Sequence, residues 1–136
     1  GVEWNELANQ EGFMPDEGSA VAEIILQANP TINVLWSENE GGTVGEVIGV
    51  RSMGLAGEVF VFGTDISPQL AQMLLHEDNI LQAVTGQSPR RMGSDSVKAA
   101  VDVVNGKDVE YYHIVPNAFF SRDDVESIQK YLEDYE

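Results

Sequence analysis

Short runs rich in β-branched and aromatic residues alternate with helical stretches along almost this whole chain, and that alternation leaves few folds open. Glu58–Gly63 (EVFVFG) is the strongest strand signal, because such side chains suit a pleated, half-buried surface. Ile32–Trp36 has no polar face, as expected of a strand covered on both sides. Ile80–Val84 and Glu110–Val115 read as two further strands, and Val2–Gln10 as another through the partial alternation of Val2, Trp4, Leu7 and Ala8. Helices fill the intervals. Pro15-Asp16-Glu17 opens the first, whose expected buried stripe is Ala20, Val21, Ile24, Ile25 and Ala28, and Asn29-Pro30 ends it. Gly41–Met53 is the second, with Gly54 as its C-terminal cap. Ser67-Pro68 starts the third, carrying Leu70, Met73, Leu74 and Leu75. Met92–Val104 is the fourth, expected to bury Gly93, Val97, Ala100, Val101 and Val104. The last follows Ser121, read as its cap with Asp124 three residues on, and buries Val125, Ile128 and Leu132. Strand and helix thus repeat five times. This order predicts an α/β fold: a mostly parallel sheet, joined by right-handed crossovers, with helices on both faces.

In an open parallel sheet, ligands bind beyond the carboxyl ends of the strands. Phe13, Asn39, Asp65 and Gln87 each sit just past an expected strand, at gaps of 26, 26 and 22 residues. The spacing predicts that one aromatic and three polar side chains converge on one edge of the sheet. A carboxylate at Asp65 accepts charge-assisted hydrogen bonds from vicinal hydroxyls. The amides of Asn39 and Gln87 both donate and accept, and Phe13 offers an apolar platform under the C–H face of a ring. Each also has a plainer reading. Asp65 before Ile66-Ser67-Pro68 suits a helix cap, and Asn39 before two glycines a turn; Gln87 suits an ordinary loop and Phe13 a core plug.

Other chemistries find no support. Seven Lys and Arg face 23 Asp and Glu, and the net charge of −16 disfavours nucleic acid and acidic lipid as partners. Without cysteine there is no disulfide, thiol catalysis or thiolate-bound metal. Gly41, Gly42 and Gly45 lack Walker or dinucleotide spacing, and Glu38, Glu40 and Glu46 would repel a phosphate. His76 and His113 have no ligand spacing, no Gly-x-Ser-x-Gly elbow occurs, and no acid–base pair or nucleophile assembles. The expectation is a binding protein, not an enzyme, with neither cofactor nor metal. No run approaches the roughly 20 apolar residues of a membrane span. The chain opens directly on an expected strand with no signal peptide visible, which reads as a fragment, and it ends in an acidic tail, Glu133–Glu136.

Five segments together resemble the type I periplasmic sugar-binding proteins that serve ABC transporters: Gln27–Leu35 (QANPTINVL), Ser37–Gly45 (SENEGGTVG), Val61–Asp65 (VFGTD), Gln82–Gly93 (QAVTGQSPRRMG) and Val104–Val109 (VNGKDV). They stand in family order and spacing over nearly the whole chain. The resemblance implies a flavodoxin-like lobe of a two-lobed receptor that clamps a small sugar or sugar-like solute and delivers it to a membrane permease, in the periplasm or tethered outside the cell. In ribose- and galactose-type members the matching positions hold a stacking aromatic, an Asn, an Asp and an amide, here Phe13, Asn39, Asp65 and Gln87. Trp36 is a possible second aromatic, although its place in a strand favours the core. Glu40-Gly41-Gly42 departs from the family pattern, which bears on the loop and on ligand identity.

The resemblance also implies an incomplete fold. Residues 1–87 correspond to the C-terminal lobe without its first strand–helix unit, 88–116 to a crossover helix and strand that pack on the other lobe, and 117–136 to the return segment. The N-terminal lobe is absent, with a ligand-binding arginine of the missing unit, so weak affinity is expected, together with either self-association of exposed apolar faces, strand or helix exchange included, or a repacked single-lobe sheet. The effector domain of a LacI-type regulator is the alternative, although the ending Phe119–Val125 (FFSRDDV) looks receptor-like.

Overall fold

The computed structural model describes residues 3–135. Val2 at the head of an expected strand and Glu136 at the end of the acidic tail lie outside them. Nine elements follow in order: α1 (Pro15–Ala28), β1 (Val34–Ser37), α2 (Glu40–Ser52), β2 (Phe60–Thr64), α3 (Pro68–Leu75), β3 (Leu81–Gly86), α4 (Pro89–Val104), β4 (Ala118–Ser121) and α5 (Val125–Tyr135). The sheet order is β1-β2-β3-β4; the first three strands are parallel, and β4 is antiparallel to β3 with Gly86 opposite Ala118.

The class, α/β with a mostly parallel sheet, is the one read from the sequence. What differs is the cover of the sheet. Because β1, β2 and β3 follow one another across it, right-handed crossovers put α2 and α3 on the same face. Helix α1 packs on α2, and α5 on α3, so these four helices form one layer. Burial alternates accordingly: Leu35, Ser37, Val61 and Gly63 are buried beneath that layer, whereas Trp36 on the opposite side of β1 is exposed. The Ile32–Trp36 segment is therefore covered on one face, not two. The core joins Leu26, Val47, Val50, Val61, Leu70, Leu74, Leu81 and Ile128.

Helix α1 is rotated from its expected setting. It buries Gly18, Ala22, Ile25 and Leu26 and leaves Ala20, Ile24 and Ala28 exposed. The cause is a close approach of α1 to α2: a Cβ at Gly45 would lie 2.5 Å from the Pro15 carbonyl oxygen and 2.7 Å from the Ser19 nitrogen. A hydrophobicity pattern does not weigh glycines, so it missed this seam. At α5 the cap is Asp124, whose carboxylate accepts the Ser127 N–H at 3.2 Å and the Ser127 hydroxyl at 2.7 Å; Ser121 ends β4 instead. Ile128 is fully buried, Leu132 half-buried and Val125 exposed.

Two expected strands are absent among the described residues. Residues 3–13 and 107–117 form neither helix nor strand. Strand geometry needs a neighbour for its backbone hydrogen bonds, and neither segment has one. Helix α4 forms as expected but buries nothing: Met92, Val97, Val101 and Val104 all stand exposed. No helix among the described residues is long and apolar enough to cross a membrane.

Candidate functional site

Three parallel strands end side by side, and a polar side chain follows each. Asn39 lies two residues beyond β1, Asp65 directly after β2 and Gln87 directly after β3. Asp65 is in the middle and joins its neighbours. Its Oδ1 accepts from Gln87 Nε2 at 2.8 Å, and its Oδ2 accepts from the Glu40 N–H in the first turn of α2 at 3.3 Å. The Asp65 backbone is in the left-handed region, with φ of 74°, which is costly for most side chains and tolerated by Asp. Its own N–H donates to the Thr85 carbonyl at 2.8 Å, so β3 holds it there. The cap of α3 is Ser67, whose hydroxyl accepts the Leu70 N–H at 3.3 Å. The capping reading of Asp65 is thereby overturned, and its carboxylate is turned toward the strand ends.

Asn39 does serve its plainer role. Its Oδ1 accepts the Gly42 N–H at 3.0 Å and caps α2, while Nδ2 donates to the Phe13 carbonyl at 3.0 Å. These opposite demands fix the orientation of the amide and leave it one N–H and one lone pair. Phe13 is pinned on its other side too, because the Glu17 carboxylate accepts the N–H groups of Phe13 at 3.2 Å and Met14 at 3.1 Å. The residue is 60% exposed, which rules out a core plug. It borders a depression of about 420 Å³ together with Asn39, Glu40, Asp65 and Gln69. Gln87 is outside this lining and connects through Asp65.

The two glycines of Glu40-Gly41-Gly42 have a steric reason. A Cβ at Gly41 would collide with the Phe13 carbonyl, and one at Gly42 with the Ser37 hydroxyl. The two glycines let the Phe13 loop lie directly on the start of α2. Three contributors went unread in the sequence. Glu17 stands three residues after Met14, where an acidic side chain reaches back to free N–H groups, and was legible on that ground. Gln69 falls four residues after Asp65 in the first turn of α3. Glu40 acts through its backbone and leaves no sequence signal.

A larger cavity of about 1130 Å³ lies between β1 and residues 3–13, bordered by Trp4, Leu7, Ile25 and Trp36. It shares Phe13 and Asn39 with the depression but not Asp65, so it is a separate space rather than the candidate site. Trp36, 63% exposed on it, is not a core residue. Glu46 of α2 also lines it; its Oε2 is buried with no hydrogen-bond partner among the described residues, and burial pushes the carboxyl from its ordinary 4.5 up to about 8. The histidines sit beside carboxylates: His76 Nδ1 is 3.2 Å from Asp78, and His113 Nε2 is 3.1 Å from Asp95.

With strand ends, depression and open loop in place, the sequence profile of the periplasmic binding protein domain matches residues 2–108. The chain belongs to this family. Two relatives come from Escherichia coli K12. The ABC transporter periplasmic-binding protein YphF is 34% identical over 99 residues, 73% of this chain and 30% of that protein. The D-allose-binding periplasmic protein is 33% identical over 82 residues, 60% of this chain and 26% of that protein. An ABC transporter solute-binding protein from Agrobacterium vitis with bound allitol superposes with a TM-score of 0.79, covering 87% of this chain and 41% of that one at 21% identity, a likeness of fold alone. This periplasmic binding protein domain thus spans about a third or less of the length of the curated relatives it matches.

Proposed function

We propose that the chain forms the C-terminal ligand-binding lobe of the substrate-binding component of an ABC importer, and that it captures a small sugar or sugar-like solute by closure of two lobes, without chemistry. The observation that carries this reading is the line of Asn39, Asp65 and Gln87 across three adjacent strand ends, with the Phe13 ring beside them. Asp65 accepts hydrogen bonds from adjacent hydroxyls, in exchange for the two it accepts from Gln87 and Glu40. Gln87 contributes its free Oε1, Phe13 an apolar plate, and Asn39 chiefly holds Phe13 in place. Binding is a population shift from open toward closed. The names of the curated relatives favour the importer over a LacI-type regulator. The reading sets the protein in the periplasm, or tethered outside the cell, with a membrane permease as partner. Residues 88–116 are its crossover to the other lobe, in keeping with the uncovered apolar side chains of α4.

The test is NMR titration of this chain with a pentose, a hexose and an inositol, each repeated on Asp65→Ala. With one lobe of the clamp, a dissociation constant of about 1 mM or weaker is expected. Shifts should be centred on residues 39–41, 65 and 87, and affinity should fall at least about tenfold in the variant, roughly the 1.4 kcal/mol of one charge-assisted bond. Unchanged binding by Asp65→Ala would remove that residue from the site, and no binding of any of the three would remove the reading.

A further inference from the structure

Asp65 is joined to α3 by a bend, residues 65–67, that lies outside any helix or strand. Its left-handed backbone is set from both ends. Upstream, the Thr85 carbonyl of β3 accepts the Asp65 N–H at 2.8 Å. Downstream, the Ile66 carbonyl accepts the Tyr131 hydroxyl of α5 at 3.2 Å. The Ile66 side chain is wedged as well. A Cβ at Gly86 would lie 2.7 Å from Ile66 Cγ2 and 3.0 Å from the Phe120 ring, so the glycine that ends β3 makes the space Ile66 fills. Phe120 in turn meets Tyr131 edge to face, with ring centroids 5.4 Å apart. The peptide before Asp65 is therefore fixed, and so are the carbonyl and side chain of Ile66. Between these anchors the torsions of Asp65 have little freedom.

The Asp65 carboxylate is tethered too, by Gln87 and the Glu40 N–H. Those tethers differ in kind. A ligand hydroxyl that takes the carboxylate displaces them, so they do not hold Asp65 once ligand is bound. The bonds to Thr85 and Tyr131 engage only the backbone of residues 65 and 66, and they persist. Burial pushes the Tyr131 hydroxyl above its ordinary 10.0, and the charges of Tyr135 and Glu40 add to this, so it remains a donor at neutral pH. A left-handed residue other than glycine costs about as much as one neutral hydrogen bond contributes. One such bond thus decides how fully the conformation is populated.

We propose that Tyr131 is a positioning residue of the ligand site: from α5 it holds the Ile66 carbonyl, and so keeps Asp65 in the backbone conformation that turns its carboxylate to the strand ends. Without the hydroxyl, Asp65 relaxes to ordinary backbone in a share of the molecules, and apparent affinity falls with the share that stays competent. The central carboxylate of the site is then supported from the last helix of the chain, 65 residues beyond Ile66. This inference rests on the reading of Asp65 as a ligand-binding residue.

NMR of the 136-residue chain tests it through Tyr131→Phe, which keeps the ring against Phe120 and removes only the hydroxyl. The first readout needs no ligand. At positive φ the amide and α protons of one residue come unusually close, so Asp65 should give a strong cross-relaxation signal between them in the parent and a weaker one in the variant. The second is titration with the same pentose, hexose and inositol, where affinity should fall about two- to fivefold, the limit that one hydrogen bond sets. Asp78→Asn is the control. It lies before the amino-terminal end of β3, remote from the strand ends that carry the site, and removes a bonded carboxylate there; both readouts should match the parent. An Asp65 signal as strong in Tyr131→Phe as in the parent, an affinity that the variant leaves unchanged, or the same losses in Asp78→Asn would each overturn the proposal. A parent that binds none of the three sugars would instead overturn the sugar-binding reading, and the Asp65 signal alone would then decide whether Tyr131 positions it.

Discussion

Glu46 should make this fold lose stability as the solution becomes less acidic. Its Oε2 is buried with no partner among the described residues, and burial raises the carboxyl from 4.5 to about 8. Below about pH 4.5 the group is protonated both folded and unfolded, and contributes no pH dependence. Between about 4.5 and 8 the unfolded chain releases the proton while the folded chain keeps it. Stability then falls with rising pH, by about 1.4 kcal/mol per pH unit. Across the whole window the loss comes to roughly 3–5 kcal/mol, a large share of the about 5–15 kcal/mol typical of a domain. Glu46→Gln keeps the shape and removes the titration. Urea unfolding followed by far-UV circular dichroism, at several pH values from about 4.5 to 8, should show the variant close to wild type at the acid end and more stable by roughly 3 kcal/mol or more at the other. The difference between the two proteins cancels every other titrating group. Parallel stability profiles would refute the reasoning, because they would mean that the carboxyl ionises freely in the folded state.

Three further outcomes are expected. Gly45→Ala, which in an exposed helix adds up to about 1 kcal/mol, should here destabilise by about 1–3 kcal/mol in urea unfolding, because its Cβ meets the backbone of α1. Asp78 is partly buried, which works to raise its carboxyl, but hydrogen bonds from Arg51 and the Ile80 N–H, with the charges of Arg51 and His76, outweigh this and lower it. Its contribution is therefore complete above the ordinary value of 3.8 and lost as pH falls through the lower folded one, so Asp78→Asn should cost about 1–2 kcal/mol near pH 7 and little near pH 2, by urea midpoints. Tyr131→Phe removes the hydroxyl that donates to the Ile66 carbonyl at 3.2 Å and should lower stability by about 1 kcal/mol in the same assay.

The sequence was most readable where local chemistry and packing agree. The strands β1, β2 and β3 and the helices between them stand close to where β-branched runs, Pro15, Ser67-Pro68 and Gly54 put them. The positions of Asn39, Asp65 and Gln87 at adjacent strand ends follow from that regularity alone. Their hydrogen bonds do not, since it takes the folded chain to show that Asp65 faces Gln87 while Ser67 caps α3. Illegibility has two physical causes. One is packing through backbone, as at the seam of α1 on Gly45, where the absence of a side chain carries the signal. The other is dependence on a neighbour: residues 3–13 and 109–115 have strand-like composition, but strands exist only in pairs. Helix α4, stabilised within its own backbone, formed without any partner for its apolar side.

The antiparallel pairing of β4 with β3 has a mechanical consequence. Gly86 and Ala118 are directly opposed, so the chain leaves the sheet and re-enters it at the same rung. Topologically, residues 87–117 are the loop of a single hairpin, a connection that two residues suffice to make. Everything α4 carries is thus an insertion into a turn, and whatever docks on it is joined to the sheet by two backbone threads about 5 Å apart. Gln87 stands on one of those threads, with its side chain bonded to Asp65. On the proposed function, a solute gripped by this amide would be held where the insertion joins the sheet, so that swinging the insertion and closing on the ligand become one motion.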